Sequence, residues 1–545
     1  MAAMTTTLLL ALAGLPVLLH ALAATLSDRG DRDAAWRRAE AAALAAAVLG
    51  TASVAAVLGT TSVAAVLGTA SVAAVLGTAS VAAVLGTTSV AAAWAGGPLQ
   101  AAGLRLDAAG AVVMALVGFI GWAVVRYSHR QLQGEAHERR CLRLLAATLA
   151  AVSLVLAADH LLLLAAAWIA TSLTLHRLLR FYADRPAARL AAHKKFLSAR
   201  VADAALLLAV ALLGAAYGTL SLHELLARAE VQGVPPLAQA GLLLLVVTVL
   251  LKCAQMPLHG WLIQVMEAPT PVSALLHAGV VNLGGLVLIR LAPLLAQAPT
   301  ALALLAAVAA LTVLLATLVA GTRISIKVAL AWSTVAQMGF MLLQLALGLP
   351  AMALLHLVAH SLYKAQAFLS AGGMVQRQQA LRLAPPSRPT AWRWALAAAV
   401  LPALVVGSGV AAGALTSPAA WLAGAVLGLA LVPLAAAGRM PAAAAVALAW
   451  FAGHALASAW LPTAPFEVPA ALVAAVAGVL TLLFVLQAVV ALRPGSSFVC
   501  RLHPWAYGGF YVDERISQAL LRRWPVPDGP AGTALATPQP FAGAR

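Results

Sequence analysis

The stretch from Lys252 to Asn282, KCAQMPLHGWLIQVMEAPTPVSALLHAGVVN, places a lysine, two histidines and a glutamate beside long apolar runs. Lys252 follows the run GLLLLVVTVLL, and Pro257 comes five residues later. A proline removes a backbone donor and blocks the helix hydrogen bond beneath it, so Pro257 is expected to break the helix next to Lys252. A lysine at such a break, with Gln255 and His259 adjacent, is placed to give up and regain a proton. The plainer alternative is a lysine that extends to the interface from a helix end. His277 and Glu267 are further candidates in this stretch. Glu267 precedes the turn at Pro269 and Pro271, where a capping or loop role reads equally well.

A second row stands on a later run. His356, His360 and Lys364 are spaced four and four, so they share one helix face and climb about 6 Å per step. Imidazole titrates near physiological pH and both accepts and donates, which makes two stacked histidines ending at a lysine a candidate proton relay. A single histidine on an apolar face is more often a hydrogen-bonded core residue; three titratable groups in one row bring the relay level with that reading.

The elements that must hold these residues follow from composition. Of 545 residues, 63 % are hydrophobic and 9 % charged, with mean hydropathy +0.96. These values exclude a soluble enzyme and a disordered chain, and point to an all-α polytopic membrane protein. At one bilayer crossing per ~20 apolar residues, the length allows about 13 to 15 transmembrane helices. The net charge of +17 does not signal nucleic acid, because the basic residues cluster in short stretches between apolar runs. Arg126, Arg130, Arg139, Arg140 and Arg143 form one, Arg177 through Arg200 another, and Arg377, Arg382, Arg388 and Arg393 a third. That is the positive-inside pattern. Cys141, Cys253 and Cys500 are too scattered for a disulfide framework or a cysteine-based zinc site, so no metal or cofactor is expected in this chain.

Four regions are expected: N-terminal transmembrane helices over 1–100, a core over 101–375 that holds the candidate residues, C-terminal transmembrane helices over 376–493, and an interfacial or partner-docking tail over 494–545. The apolar run 5–26 has no preceding Lys or Arg, unlike a signal peptide, and reads as a retained helix. VLGTASVAA and its Thr variant occur five times at a nine-residue period between Val48 and Ala92. Nine residues make about 2.5 helical turns, so successive copies face opposite sides and no one-faced packing stripe is expected. Later candidate spans include 160–181, 197–218, 237–258, 268–294, 324–348 and 350–374.

The Lys252–Asn282 stretch, ISIKVALAWSTVAQMGFM from Ile324 to Met341, and HLVAHSLYKAQAFLSAG from His356 to Gly372 resemble the proton-antiporter-type membrane subunits of respiratory complex I and of multisubunit cation antiporters. The resemblance runs over roughly residues 105–375. It implies two inverted five-helix repeats, each with a broken helix, and a hydrated mid-membrane path. In that path Lys252 takes the place of the broken-helix lysine, His277 that of the histidine on the following helix, and His356, His360 and Lys364 those of the central chain.

Two departures qualify this. A Trp-Glu pair on an early helix usually modulates the lysine, yet here AAWIATSLTLHRLL has Ile169 after Trp168. The run from Trp394 to Ser417 also lacks the Lys or Glu expected at a second exit. The combination WIATSLTLHRLLRFY, HKKFLSARVADAALL, HGWLIQVMEAPTPVSALLHAGVVN and GGFYVDERI is similar to the membrane subunit of the DAB-type inorganic carbon transporters. That resemblance implies an ion-translocating subunit in a bacterial inner membrane. It would drive one-way CO2 hydration in a cytoplasm-facing, zinc-containing partner resembling a β-type carbonic anhydrase, with the zinc held there. A proton-pumping complex I subunit and a non-conducting anchor stay open as alternatives. Asp203 and Glu267 are the nearest carboxylates by sequence for Lys252.

Overall fold

The computed structural model describes residues 2–27, 31–58, 103–373, 390–461 and 465–526. Among these residues the chain is all-α. Eleven helices are long and apolar enough to cross a membrane, and the shorter Pro236–Lys252 helix joins them. The helix Pro350–Leu369 is equally long, but His356, His360 and Lys364 lower its hydropathy. The chain is a multi-pass membrane protein.

Local sequence sets the helix ends. Pro186, Pro236, Pro299, Pro350 and Pro418 lie in the first turns of their helices, where a missing N–H costs nothing. Gly218, at φ +65°, closes Pro186–Tyr217 in a left-handed cap. Asp107 caps Ala108–Gln131 by accepting from the Gly110 N–H, and its other oxygen receives the Arg290 Nε–H at 2.6 Å. Arg290 also donates to the Ala158 carbonyl at 2.9 Å, tying three segments together.

The first copy of the repeat lies within the described residues. Its copies beyond Leu58 lie outside the described residues. In the first copy, Gly50 lies against the Ala115 backbone, while Gly118 lies against Ala47 of Arg32–Leu58. A Cβ on either glycine would clash with backbone 2.4 Å away. Small residues here let the two helices approach closely; Gly50 belongs to the repeat and Ala47 precedes it.

Pro186–Tyr217 starts well before the expected residue 197 and brings part of the basic stretch into the helix. It packs on Pro236–Lys252, and Thr270–Ala278 packs on Pro350–Leu369. The expected span 268–294 is interrupted: Thr270–Ala278 and Leu283–Arg290 flank a 3-10 turn, Val280–Asn282. In contrast, Ala391–Ala411 is continuous, with Pro402 inside it. One core runs from Ala23 to Leu483, and a smaller cluster gathers around Trp394, Leu401 and Val432. The sequence-drawn regions thus share a core.

Candidate functional site

The first break is built as the sequence reads, with details that it hides. The helix ends at Lys252, Cys253 caps it, and Ala254 takes a left-handed φ of +53° before Pro257 is reached. The freed backbone is satisfied from neighbouring elements, as a break inside a membrane demands. The Met256 N–H donates to Thr312 Oγ1 at 3.1 Å, and Gln255 Nε2 donates to the Cys253 carbonyl at 3.0 Å. Cys253 Sγ–H donates to the Val281 carbonyl at 3.1 Å, joining the first break to the second. There Asn282 Nδ2 donates to the Ala278 carbonyl at 3.0 Å and to Ser361 Oγ at 2.6 Å.

Lys252 turns into the protein. Its Nζ donates to Asp203 Oδ1 at 2.7 Å and lies 4.9 Å from the centre of the Trp168 ring. Arg200 approaches the other Asp203 oxygen at 2.5 Å. A carboxylate thus stands beside the lysine despite Ile169, supplied from Pro186–Tyr217 instead of the Trp168 helix. Glu267, the other carboxylate considered, is not brought to this site. Its half-exposed side chain faces Arg185 at 3.9 Å, in the turn before Pro269.

His277, His360 and Lys364 form a second cluster. The His277 ring stacks on Phe368 at 4.5 Å, and His360 is buried on the helix that packs against it. Lys364 Nζ donates to Ser333 Oγ at 2.8 Å and to the Leu330 carbonyl at 3.1 Å. Both His277 ring nitrogens and His360 Nε2 are buried without a protein partner. Buried polar atoms of this kind are the ones that internal water satisfies. His356, 6.1 Å from His360 between ring centres, lines a cavity of about 680 Å³ with His360 and Ser333. The far wall carries Gln487 and Trp450, and Gln337 and Gln344 add amides. Among the described residues, no Lys or Glu lines it.

His259 belongs to neither cluster. Buried, it lies 4.9 Å from the Trp332 ring, next to a contact that the sequence did not signal: the C-terminal helix Val512–Arg523 returns to the core. Lys194 Nζ donates to both Asp513 oxygens at 3.0 and 2.8 Å. Gly260 lies so close beneath that a Cβ would fall 1.5 Å from Asp513 Oδ1. Arg323, in the turn before Ile326–Ala346, lies over the rings of Trp332 and Tyr507. Partial burial lowers its pKa from the ordinary value, against the pull of Tyr507 and Glu514. Lys195 was also missed. It is buried and donates to Ser172. Among the described residues, no three His, Cys, Asp or Glu side chains stand close enough to hold a metal ion.

Two groups of ionisable side chains thus lie in an apolar scaffold: Asp203 and Lys252 at the first break, and His277, His360 and Lys364 near Ser333 and the large cavity. Residues 158–403 match the family described as NADH:quinone oxidoreductase/Mrp antiporter, TM. DabB of Hydrogenovibrio crunogenus (strain DSM 25203 / XCL-2), named a probable inorganic carbon transporter subunit, is 50 % identical over 298 residues, covering 54 % of this chain and 58 % of the relative. NADH-quinone oxidoreductase subunit L of Mycobacterium tuberculosis (strain CDC 1551 / Oshkosh) is 35 % identical over 288 residues, covering 52 % and 45 %. The chain spans about half the length of the curated relatives it matches. A chain in the solved structure of the membrane-bound sulfane sulfur reductase, an archaeal respiratory membrane complex, shares the fold. Its TM-score is 0.55 at 17 % identity, over 93 % of this chain and 98 % of that one. Through residues 158–403 the chain is similar to the NADH:quinone oxidoreductase/Mrp antiporter membrane family, and it resembles the subunits named for inorganic carbon transport.

Proposed function

We propose that this chain is the proton-translocating membrane subunit of an energy-coupled inorganic carbon uptake complex in a bacterial inner membrane. The observation that carries the reading is Lys252, buried at a helix break with its Nζ 2.7 Å from Asp203. A buried ion pair between helices contributes little net stability, whereas a pair able to open and close moves charge. The 50 % identity to a subunit named for inorganic carbon transport supports inorganic carbon as the substrate class.

In this reading a proton enters at Lys252, passes through His277, His360 and Lys364, and reaches the large cavity. Its flow biases CO2 hydration toward bicarbonate in a zinc-containing, carbonic-anhydrase-like partner on the cytoplasmic face, which holds the metal. The energy scale is sufficient. One charge crossing 100 mV releases about 2.3 kcal/mol, and a tenfold bias in a concentration ratio needs about 1.4 kcal/mol.

Replacing Lys252 with Ala in cells that depend on the complex tests the reading. Carbon accumulation is expected to fall to the level of cells lacking the complex. If accumulation and its sensitivity to uncouplers both persist, conduction through Lys252 is wrong. The 35 % match to subunit L favours a second reading, a redox-linked pump; recovery of NADH-oxidising subunits with the purified chain, in place of a zinc protein, selects it.

A further inference from the structure

Lys194 and Lys195 are consecutive on the helix Pro186–Tyr217 and therefore point about 100° apart. Lys194 meets the C-terminal tail at Asp513. Lys195 turns inward, is 5 % exposed, and its Nζ donates to the Ser172 carbonyl and, at 2.7 Å, to Ser172 Oγ. Both acceptors are neutral. The side chain lines a cavity of about 30 Å³ together with Lys252, Trp168, Ser172, Trp261 and Val280. A cavity of that size has room for about one water, and Lys195, Lys252, Ser172, Thr171 and Ser198 are the side chains on its wall that could hold one.

The charges around this cavity do not balance. Arg200, Lys252 and Lys195 are three cationic groups, and among the described residues Asp203 is the one carboxylate paired with them, through Arg200 and Lys252. The groups facing Lys195 are Arg200 and Asp203 from its own helix, Ser172 and His176 from Leu161–Leu179, and Lys252 from Pro236–Lys252. An ammonium without a counter-charge is costly in such a place. A neutral amine is not: its two N–H groups match the two Ser172 acceptors and leave its lone pair free to take a proton.

We infer that Lys195 is a second proton-carrying amine of the path, exchanging with Lys252 through the small cavity that the two side chains share. The inference rests on the reading of Lys252 given above. In the step, an N–H bond of the Lys252 ammonium breaks as its proton passes through one water, and an N–H bond forms at the Lys195 lone pair. No redox partner is needed, and Asp203 stays with Arg200 as the Lys252 charge leaves.

The test uses the full chain with its native partner in liposomes containing a pH-sensitive dye, with proton uptake driven by an imposed potential. Lys195→Met and Lys195→Arg are each expected to lower uptake at least tenfold. The arginine keeps the cation and its hydrogen bonds but cannot release its proton. Wild-type uptake by Lys195→Arg overturns the inference and makes Lys195 a tether for Ser172. Should the lysine variants fail to assemble, Ser172→Ala decides, since it keeps Lys195 and the backbone acceptor. Losing one acceptor of the charged form is expected to move the pH midpoint of uptake downward, and an unmoved profile overturns the inference. Wild-type uptake by Lys252→Met instead defeats the underlying reading, a result distinguishable from loss of the Lys195 step alone.

Discussion

Asp203 Oδ1 receives the Lys252 Nζ–H at 2.7 Å from a helix 49 residues earlier, while Arg200 holds its second oxygen. One carboxylate thus faces two cations, and moving it toward either releases the other. Asp203→Asn is expected to leave Lys252 buried without a counter-charge. Removing one partner of a buried pair costs about 3–5 kcal/mol, so the variant should melt lower in detergent and lose proton uptake. Adding Lys252→Met to Asp203→Asn should recover most of the melting temperature and none of the uptake. Recovery of both by the double variant would falsify a conducting role for the pair.

The first break depends on one hydroxyl outside it. Thr312 Oγ1 accepts the Met256 N–H at 3.1 Å and donates to the Val308 carbonyl at 2.7 Å. Thr312→Val keeps the shape and removes the acceptor. A buried backbone donor left unpaired costs about 1–3 kcal/mol. Thr312→Val should therefore lower thermal stability by that order, with Thr312→Ser close to wild type. Equal melting of the two variants would show that the break satisfies its backbone elsewhere.

Gly260 and Asp513 are in contact although 253 positions separate them. A methyl at residue 260 cannot share that space. Gly260→Ala should push Asp513 off Lys194 and release the helix Val512–Arg523. Hydrogen exchange across 512–523 is expected to quicken by about tenfold or more, as for an element moved to the low end of local stability. Asp513→Ala should do the same. Unchanged protection in both variants would mean that other contacts hold the tail.

What could be read in the sequence divides by range. The break near Pro257 and the row His356, His360 and Lys364 were legible because proline chemistry and helical periodicity act within a few residues. Asp203 could be offered only as a nearby carboxylate, since pairing across two helices depends on the crossing of Pro186–Tyr217 with Pro236–Lys252. Lys194 and Lys195 lay in a basic stretch that reads as a loop. The helix begins at Pro186, so both lysines fall on a helix whose inward face no period could identify. The break at Gly279 has no proline, and its signal is the Asn282 side chain that satisfies the backbone there. Glu267 shows the converse: a carboxylate near in sequence, turned away by the Pro269 turn toward Arg185.

The large cavity lets the direction of the path be tested without touching an ionisable group. Ala359 lines it on the same helix as His356 and His360, opposite Leu427, Leu480 and Gln487. About 680 Å³ is available, several times what a phenyl ring needs, so Ala359→Phe should fold with little change in melting temperature. Overpacking costs of about 1–3 kcal/mol belong to filled cores, and this wall faces open space. If protons leave Ser333 and the histidines through the cavity, the ring blocks their water and uptake in liposomes should fall about tenfold. Unchanged uptake in Ala359→Phe would place the exit elsewhere and leave the cavity as a gap between helices for lipid to fill.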